Sequence, residues 1–452
     1  MEPFLYHVFV CDQKKPEGVP GCMASGSGAV IEALQREIAG QGMIDEVQLT
    51  TCGSLGLCEH GPNMIVYPEG IWYCRVSPAD VPEIVCSHFK EGIPVERLMR
   101  TEASLLRAEI LSNRKKRELA MRAREASGAL PEEWMQTIRG YQESRVFLSA
   151  IELDLFSAVG GGASAHEVAS RLRTDPRATE ALLHALTAMG MLEKRNAGFY
   201  NTAAGKRFLT DASAENAREG LMHQVHLWSR WSNLTDCVRL GAPVIEQETG
   251  ERKERWTGAF IAAMDRIAAE RAPSVVRAVS LEGVHRMLDV GGGSGAYAIA
   301  FARCATDLKV EILDLPDVLP LTCRHIDQAG LSARIRTRAG DLRTDPLGSG
   351  FDLVLVSAIC HMLDPSQNLD LIRRCHQALA PAGRLVIQDF ILEPDKTAPK
   401  SGALFAINML VGTAGGSSYS VDEYSAWLKE AGFREPVHTR LPGPSSLLIA
   451  SR

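Results

Sequence analysis

The sequence predicts an α/β protein whose C-terminal half is a doubly wound parallel sheet, and three observations carry that expectation. Arg286-Met-Leu-Asp-Val290 is a short apolar run that breaks into Gly291-Gly-Gly-Ser-Gly295 and resumes at helical spacing from Ala296 to Arg303: strand, glycine turn, helix. Further apolar runs follow at 309–314, 335–340 and 351–356, separated by segments of helix length, with Asp314 closing the first and Asp341 following the second. Ahead of them, residues 132 to about 241 are helical almost throughout, while residues 1–100 mix short strands with one amphipathic helix. The expected divisions are 1–100, a helical linker 101–130, a helical domain 131–245 and the sheet domain 246–452.

Composition sets the outer limits. A chain of 452 residues with 45% hydrophobic content has ample apolar material for packed cores in two or three domains. A net charge of −6 gives no general attraction to phosphate backbones, so no nucleic-acid partner is expected. The first residues carry no basic segment ahead of an apolar stretch, and no apolar run approaches the roughly 18 residues of a membrane span. The expectation is a cytoplasmic protein with no membrane partner, whose eleven cysteines are reduced or metal-bound rather than paired.

Six of those cysteines fall in residues 1–100: Cys11, Cys22, Cys52, Cys58, Cys74 and Cys86. A strand from Tyr6 to Val10 runs into Cys11, ten residues separate Cys11 from Cys22, Gly28–Ile38 reads as a helix, and Val47–Thr50 reads as a second strand before Thr51-Cys-Gly-Ser-Leu-Gly-Leu-Cys-Glu-His-Gly-Pro62. This order, with 66–73 and 88–98, resembles the thioredoxin-like [2Fe-2S] ferredoxins. The resemblance implies a [2Fe-2S] cluster held by Cys11, Cys22 and Cys58, since each iron takes two protein ligands. The family's second pair is spaced C-x-x-x-C, but here Ser54 stands where its first member belongs. The fourth ligand is either Cys52 after a loop shift or the Ser54 oxygen, and the softer thiolate favours Cys52. Such a domain implies a redox partner, a docking role or a switch.

Thr101–Ser127 is charged and helix-forming, with Arg114-Lys-Lys-Arg117 at its centre, and reads as a solvated linker helix. Ile138–Phe156 has helical spacing, Ser164 caps a helix through Leu172, Asp175 caps another through Met189, and 192–200 is a small hairpin. Together these make a winged-helix-like module. A DNA-binding regulator is argued against by the would-be recognition helix 177–189, whose basic residues are Arg177 and His184 alone. His223, His226, Trp228 and Trp231 follow, either roofing a flat apolar substrate or packing as core.

In the sheet domain, the glycine loop lacks the third glycine of a dinucleotide fingerprint, because Ala296 follows Gly295. Leu288–Gly295, Asp314-Leu-Pro316, Gly340-Asp341 and Pro381-Ala-Gly-Arg-Leu-Val-Ile387 instead resemble class I S-adenosylmethionine-dependent methyltransferases, and more narrowly the dimeric small-molecule O-methyltransferases. The resemblance implies a homodimer joined through the winged-helix-like module. It also implies that Asp289 and Gly291, Gly292 and Gly293 hold the methionine part of S-adenosylmethionine, Asp314 the ribose, and Asp341 with Leu342 the adenine, with Leu315 and Ser357 in the same set. His361, just past the 351–356 strand, matches the family's general base, and Asp389 the acid that orients it. Ser417 stands where relatives have a second acid, and Met362-Leu363 where they have Asp-Trp. Asn408 matches a substrate-facing position, with His223 and Trp228 as further substrate candidates. O-methylation of a hydroxylated aromatic or isoprenoid-type molecule is the expected reaction, and carbon methylation of an activated ring its nearest alternative.

Overall fold

The computed structural model describes residues 3–15, 19–244 and 251–452, without the side chains of 124–125 and 251–257. Its contacts divide the chain into two units, 1–136 and 137–452.

In the first unit, strands β1 (Tyr6–Cys11), β2 (Val47–Cys52), β3 (Asn63–Tyr67) and β4 (Ile71–Cys74) lie in the order β2-β1-β3-β4. β1 and β2 are parallel, and the other pairs antiparallel. The parallel pair needs a crossover, supplied by the helix Ser27–Gly40. Its buried Val30, Leu34 and Ile38 recur every four residues and pack with Val8, Val10, Met64 and Val66 of the sheet.

The helix Ala103–Ala126, expected as a linker, is packed onto this unit by its first turns. Asn113 Nδ2 donates to the Gly56 carbonyl at 2.9 Å, and Glu109 pairs with His60 at 2.7 Å and Arg100 at 2.6 Å. Charge content alone hid those contacts. The Arg114–Arg117 run is exposed, as a solvated face should be.

In the second unit, the helices Ala165–Leu172 and Pro176–Ala188 start at the caps expected of Ser164 and Asp175. The hairpin β5 (Leu192–Arg195) and β6 (Gly198–Asn201) follows. The helix preceding them ends at Glu152 rather than Phe156, because Asp154 takes a φ of 57° and Leu155–Val159 begins a separate turn.

The large sheet holds β7 (Arg286–Val290), β8 (Lys309–Asp314), β9 (Ile335–Ala339), β10 (Phe351–Ser357), β11 (Leu379–Asp389), β12 (Val437–Arg440) and β13 (Ser446–Ser451), ordered β12-β13-β11-β10-β7-β8-β9. β7 to β11 are mutually parallel, and β13 runs against β11. Helices cover both faces, so the central strands are apolar on both sides: Leu353 to Val356 are all buried, facing two separate cores. Strand order reverses between β7 and β10, which opens a crevice at their carboxyl ends. The glycine loop leaves β7 there, and His361 follows β10.

Candidate functional site

The crevice is built first from backbone. Asp289, at the end of β7, is fully buried, and neither carboxylate oxygen has a hydrogen-bond partner among the described residues. Burial, and then the charge of Asp314, push its carboxyl up to about 7. A buried acid without an internal partner suits a cation arriving from outside. The glycines make room for that arrival. A β-carbon on Gly291 would stand 2.5 Å from Ile359 Cδ1, and one on Gly292 would stand 2.8 Å from Asp289 Oδ2. Gly291 and Gly293 also hold φ of 68° and 57°, where side chains are strained.

Asp314 closes β8. The amides of Gly293 and Leu315 each donate to its carboxylate at 2.7 Å, fixing its orientation and opposing the upward push of burial on its pKa. The remaining lone pairs are free for vicinal hydroxyls. Leu315 is 47% exposed beside it, an apolar surface on which a flat ring can rest.

Two of the expected cofactor residues are engaged internally. Asp341 sits in the guanidinium fork of Arg343, with Nη2 at 2.7 Å and Nε at 3.0 Å, and that pairing holds its carboxyl below the usual range. Ser357 donates to Gln388 Oε1 at 2.6 Å. Leu342 lies against the glycine loop, its Cδ2 3.4 Å from where a Gly291 β-carbon would be.

The second half of the site is an acid–base pair. His361 Nδ1 lies 2.7 Å from Asp389 Oδ1, and the His361 amide donates to Oδ2 at 3.1 Å. Asp389 is 1% exposed, and the Phe390 amide also bonds it, at 2.8 Å. This geometry places the ring proton on Nδ1 and leaves Nε2 as the acceptor, with no partner among the described residues. A β-carbon on Gly416 would stand 2.3 Å from the His361 carbonyl, so the 415–418 loop runs close behind the histidine. Ser417 supplies no acid there, and Asp389 is the carboxylate paired with His361 among the described residues.

Sequence reasoning missed the wall beside this pair. Phe405 meets the His361 ring edge-on at 4.8 Å and stacks on Phe390 at 3.8 Å, while the Arg271 guanidinium lies 5.5 Å over Phe390. Phe390 directly follows Asp389, and Phe405 precedes Asn408 by one helical turn on Lys400–Gly412, so a signal was present for both. Arg271 had none, being far away in sequence.

The substrate candidates have different surroundings. Asn408 Oδ1 accepts from Trp231 Nε1 at 3.0 Å. Trp228, three residues earlier on the same helix, faces a surface cavity lined with Arg145, Glu152, Arg218, Met222 and Val225, with Arg145 5.7 Å over its ring. A three-residue step rotates a side chain about 60° short of a full turn, so Trp231, not Trp228, is brought to Asn408. His223 is buried edge-on against Phe260 at 5.4 Å, and burial pushes its pKa down to about 4, so it is neutral near pH 7.

A separate cluster lies in the first unit. The sulfurs of Cys11, Cys22 and Cys58 are mutually within 4.8 Å, and all three residues are buried. Thiolates on one tetrahedral ion at about 2.3 Å stand roughly 3.8 Å apart, so these three are within reach of a common centre. Cys52, expected as the fourth ligand, is not among them; Ser54 Oγ lies 3.2 Å from Cys58 Sγ.

A glycine loop at the switch point of a doubly wound sheet, over an unpartnered buried carboxylate and beside a histidine–aspartate pair, defines a class I methyltransferase architecture. Residues 231–434 match the family model of the O-methyltransferase domain, and 135–211 that of the O-methyltransferase dimerisation domain. The chain is 36% identical over 319 residues to 3-hydroxy-5-methyl-1-naphthoate 3-O-methyltransferase of Streptomyces sahachiroi, covering 68% of this chain and 90% of that protein. It is 29% identical to the tetracenomycin polyketide synthesis 8-O-methyl transferase TcmO of Streptomyces glaucescens, over 71% of this chain and 97% of TcmO. Among solved structures, PigF with SAH superposes with a TM-score of 0.65 at 26% identity, covering 72% of this chain and all of PigF.

The chain belongs to the O-methyltransferase family, and it is an S-adenosylmethionine-dependent O-methyltransferase acting on a small molecule. The dimerisation domain supports a homodimer. Residues 1–134 lie outside both family models. Among the described residues, no helix is long and apolar enough to cross a membrane.

Proposed function

We propose that the enzyme methylates a phenolic oxygen on a fused or substituted aromatic ring, with His361 as general base and Asp389 as the group that orients it. The observation that carries this reading is the 2.7 Å His361–Asp389 contact set against the stacked Phe390–Phe405 wall. Relatives named for a hydroxynaphthoate and for tetracenomycin support an aromatic substrate.

The cofactor supplies a sulfonium methyl group whose transfer leaves a neutral thioether. Asp289 and Gly291 to Gly293 receive its methionine end, and the Asp314 carboxylate the ribose hydroxyls. Leu315 and Leu342 flank the adenine. Asp341 reaches the adenine only through its backbone or after releasing Arg343, and Ser357 acts through Gln388 rather than by direct contact. Nε2 of His361 takes the phenol proton as the oxygen–methyl bond forms and the sulfur–methyl bond breaks. The imidazolium is stabilised by Asp389. Asn408, held by Trp231, positions a neighbouring substrate oxygen.

Residues 1–100 are read as a thioredoxin-like domain that binds a [2Fe-2S] cluster, on the strength of the β2-β1-β3-β4 sheet and the buried thiol trio. That domain gives the enzyme a redox partner, a docking role or a switch. The winged-helix-like region and the sheet form the remaining domains of a cytoplasmic homodimer.

The test is incubation of the full-length enzyme with S-adenosylmethionine and a panel of hydroxylated naphthoates and polycyclic phenols, with product carbon shifts read by NMR. An O-methyl ether is expected. A ring-carbon methyl group would assign the alternative chemistry.

A further inference from the structure

We propose that Ser54 Oγ joins the thiolates of Cys11, Cys22 and Cys58 in a metal site of three sulfurs and one oxygen at the edge of the small sheet, and that Cys52 stays outside it. The proposal rests on the iron–sulfur reading above and specifies its donor set.

Each donor is delivered by a different piece of chain. Cys11 ends β1, Cys22 precedes the helix Ser27–Gly40, and Cys58 opens the turn Cys58–His60; Leu55 is the partly buried apolar neighbour packed on the trio among the described residues. Ser54 approaches from the loop between β2 and that turn. Its hydroxyl is 3.2 Å from Cys58 Sγ, its amide donates to Gln13 Oε1 at 3.2 Å, and the Gly56 amide donates to its oxygen at 3.2 Å. Gly56 is in turn held from outside by Asn113. The loop thus presents the Ser54 oxygen toward the thiols in a fixed conformation.

Cys52 is fixed too, in the wrong place. It is the last residue of β2, paired in register with Cys11, and its carbonyl accepts from the Asp12 amide at 2.9 Å. Moving its sulfur two positions along the chain breaks that rung and the bond beyond it. No such rearrangement is needed for Ser54.

The corner also excludes bulk. A β-carbon at residue 61 would stand 2.9 Å from Cys22 Sγ, so glycine is required there, and Asn63 Nδ2 lies 3.4 Å from the same sulfur, as a donor to a thiolate would. A serine alkoxide is a harder and less covalent donor than thiolate. It concentrates negative charge on the iron it binds, which favours the ferric state and lowers the reduction potential.

The experiment uses anaerobically prepared full-length protein, assayed for iron, acid-labile sulfide, visible absorption and reduction potential. Wild type is expected to carry iron and sulfide in equal amounts. Cys52→Ala should keep its iron, spectrum and potential, Ser54→Ala should lose iron or shift the absorption bands, and Ser54→Cys should keep iron with a higher potential. Iron loss or a spectral shift in Cys52→Ala with none in Ser54→Ala overturns the donor set. Wild type without iron or sulfide instead rejects the iron–sulfur reading, and titration with cobalt(II) then decides the donors. A sulfur-to-cobalt absorption altered by Ser54→Ala and untouched by Cys52→Ala upholds them; the converse pattern, or no cobalt bound, rejects them.

Discussion

The glycine cradle and the cysteine corner each gather groups from the chain into one place, yet they are made of different material. In the cradle, recognition is largely backbone: glycines at positive φ, two amides on Asp314, and missing β-carbons that leave room beside Asp289. In the corner, the groups are side chains: the sulfurs of Cys11, Cys22 and Cys58 and the hydroxyl of Ser54, which the chain brings together from separate segments. Backbone sites are written contiguously and tolerate almost no substitution at the glycines. Side-chain sites depend on tertiary register, so a donor one or two positions away in sequence is a different point in space.

The His361–Asp389 pair belongs to the side-chain kind, and on the proposed mechanism removing its histidine has the largest expected effect. His361→Ala should lose roughly two to four orders of magnitude in turnover. Affinity for S-adenosylhomocysteine, held by the other half of the crevice, should stay near wild type by calorimetry. Full turnover retained across the pH range around neutrality would remove His361 from the chemistry. A parallel loss of cofactor affinity would mean that the two halves are one cooperative unit.

Smaller, and aimed at the cradle, are Gly292→Ala and Asp314→Ala. The added β-carbon would press on both Asp289 Oδ2 and Ile312 Cγ2 at 2.8 Å, and neither is the free end of a flexible surface chain. Loss of the Asp314 carboxylate removes charge-assisted hydrogen bonds of about 1.5 to 3 kcal/mol. Each variant should weaken S-adenosylhomocysteine binding by about tenfold or more. An unchanged dissociation constant in both would show that the cofactor bypasses this loop.

What was legible in the sequence follows the same division. Strand ends at Val290 and Asp314, the caps at Ser164 and Asp175, and the pairing of His361 with Asp389 were all readable, because each rests on local spacing or on the end of a predicted strand. Spacing did not reveal that Cys52 sits on a rung opposite Cys11, outside the trio of Cys11, Cys22 and Cys58. That Trp231 rather than Trp228 meets Asn408 was not legible, because composition does not say which side of a helix faces which neighbour. The linker helix became part of the first unit through Asn113 and Glu109, single polar residues that no periodicity marks.

The mildest prediction sharpens the cradle itself, through Asp289. Burial, and then the charge of Asp314, push its carboxyl up to about 7 from the ordinary 3.8. The folded state therefore binds more protons than the unfolded state between those values, and stability falls as pH rises through that window. The free enzyme should lose melting temperature between about pH 5 and pH 7, and Asp289→Asn, neutral throughout, should lose less of it. A cofactor carrying an ammonium group reverses the sign for binding, since it needs the charged carboxylate. Affinity for S-adenosylhomocysteine should then tighten as pH rises toward 7, by at most about tenfold per unit, and flatten above it. In Asp289→Asn the affinity should be weaker and nearly independent of pH over the same range. An unaltered slope in that variant would assign the proton to another group and leave the buried carboxylate a structural role only.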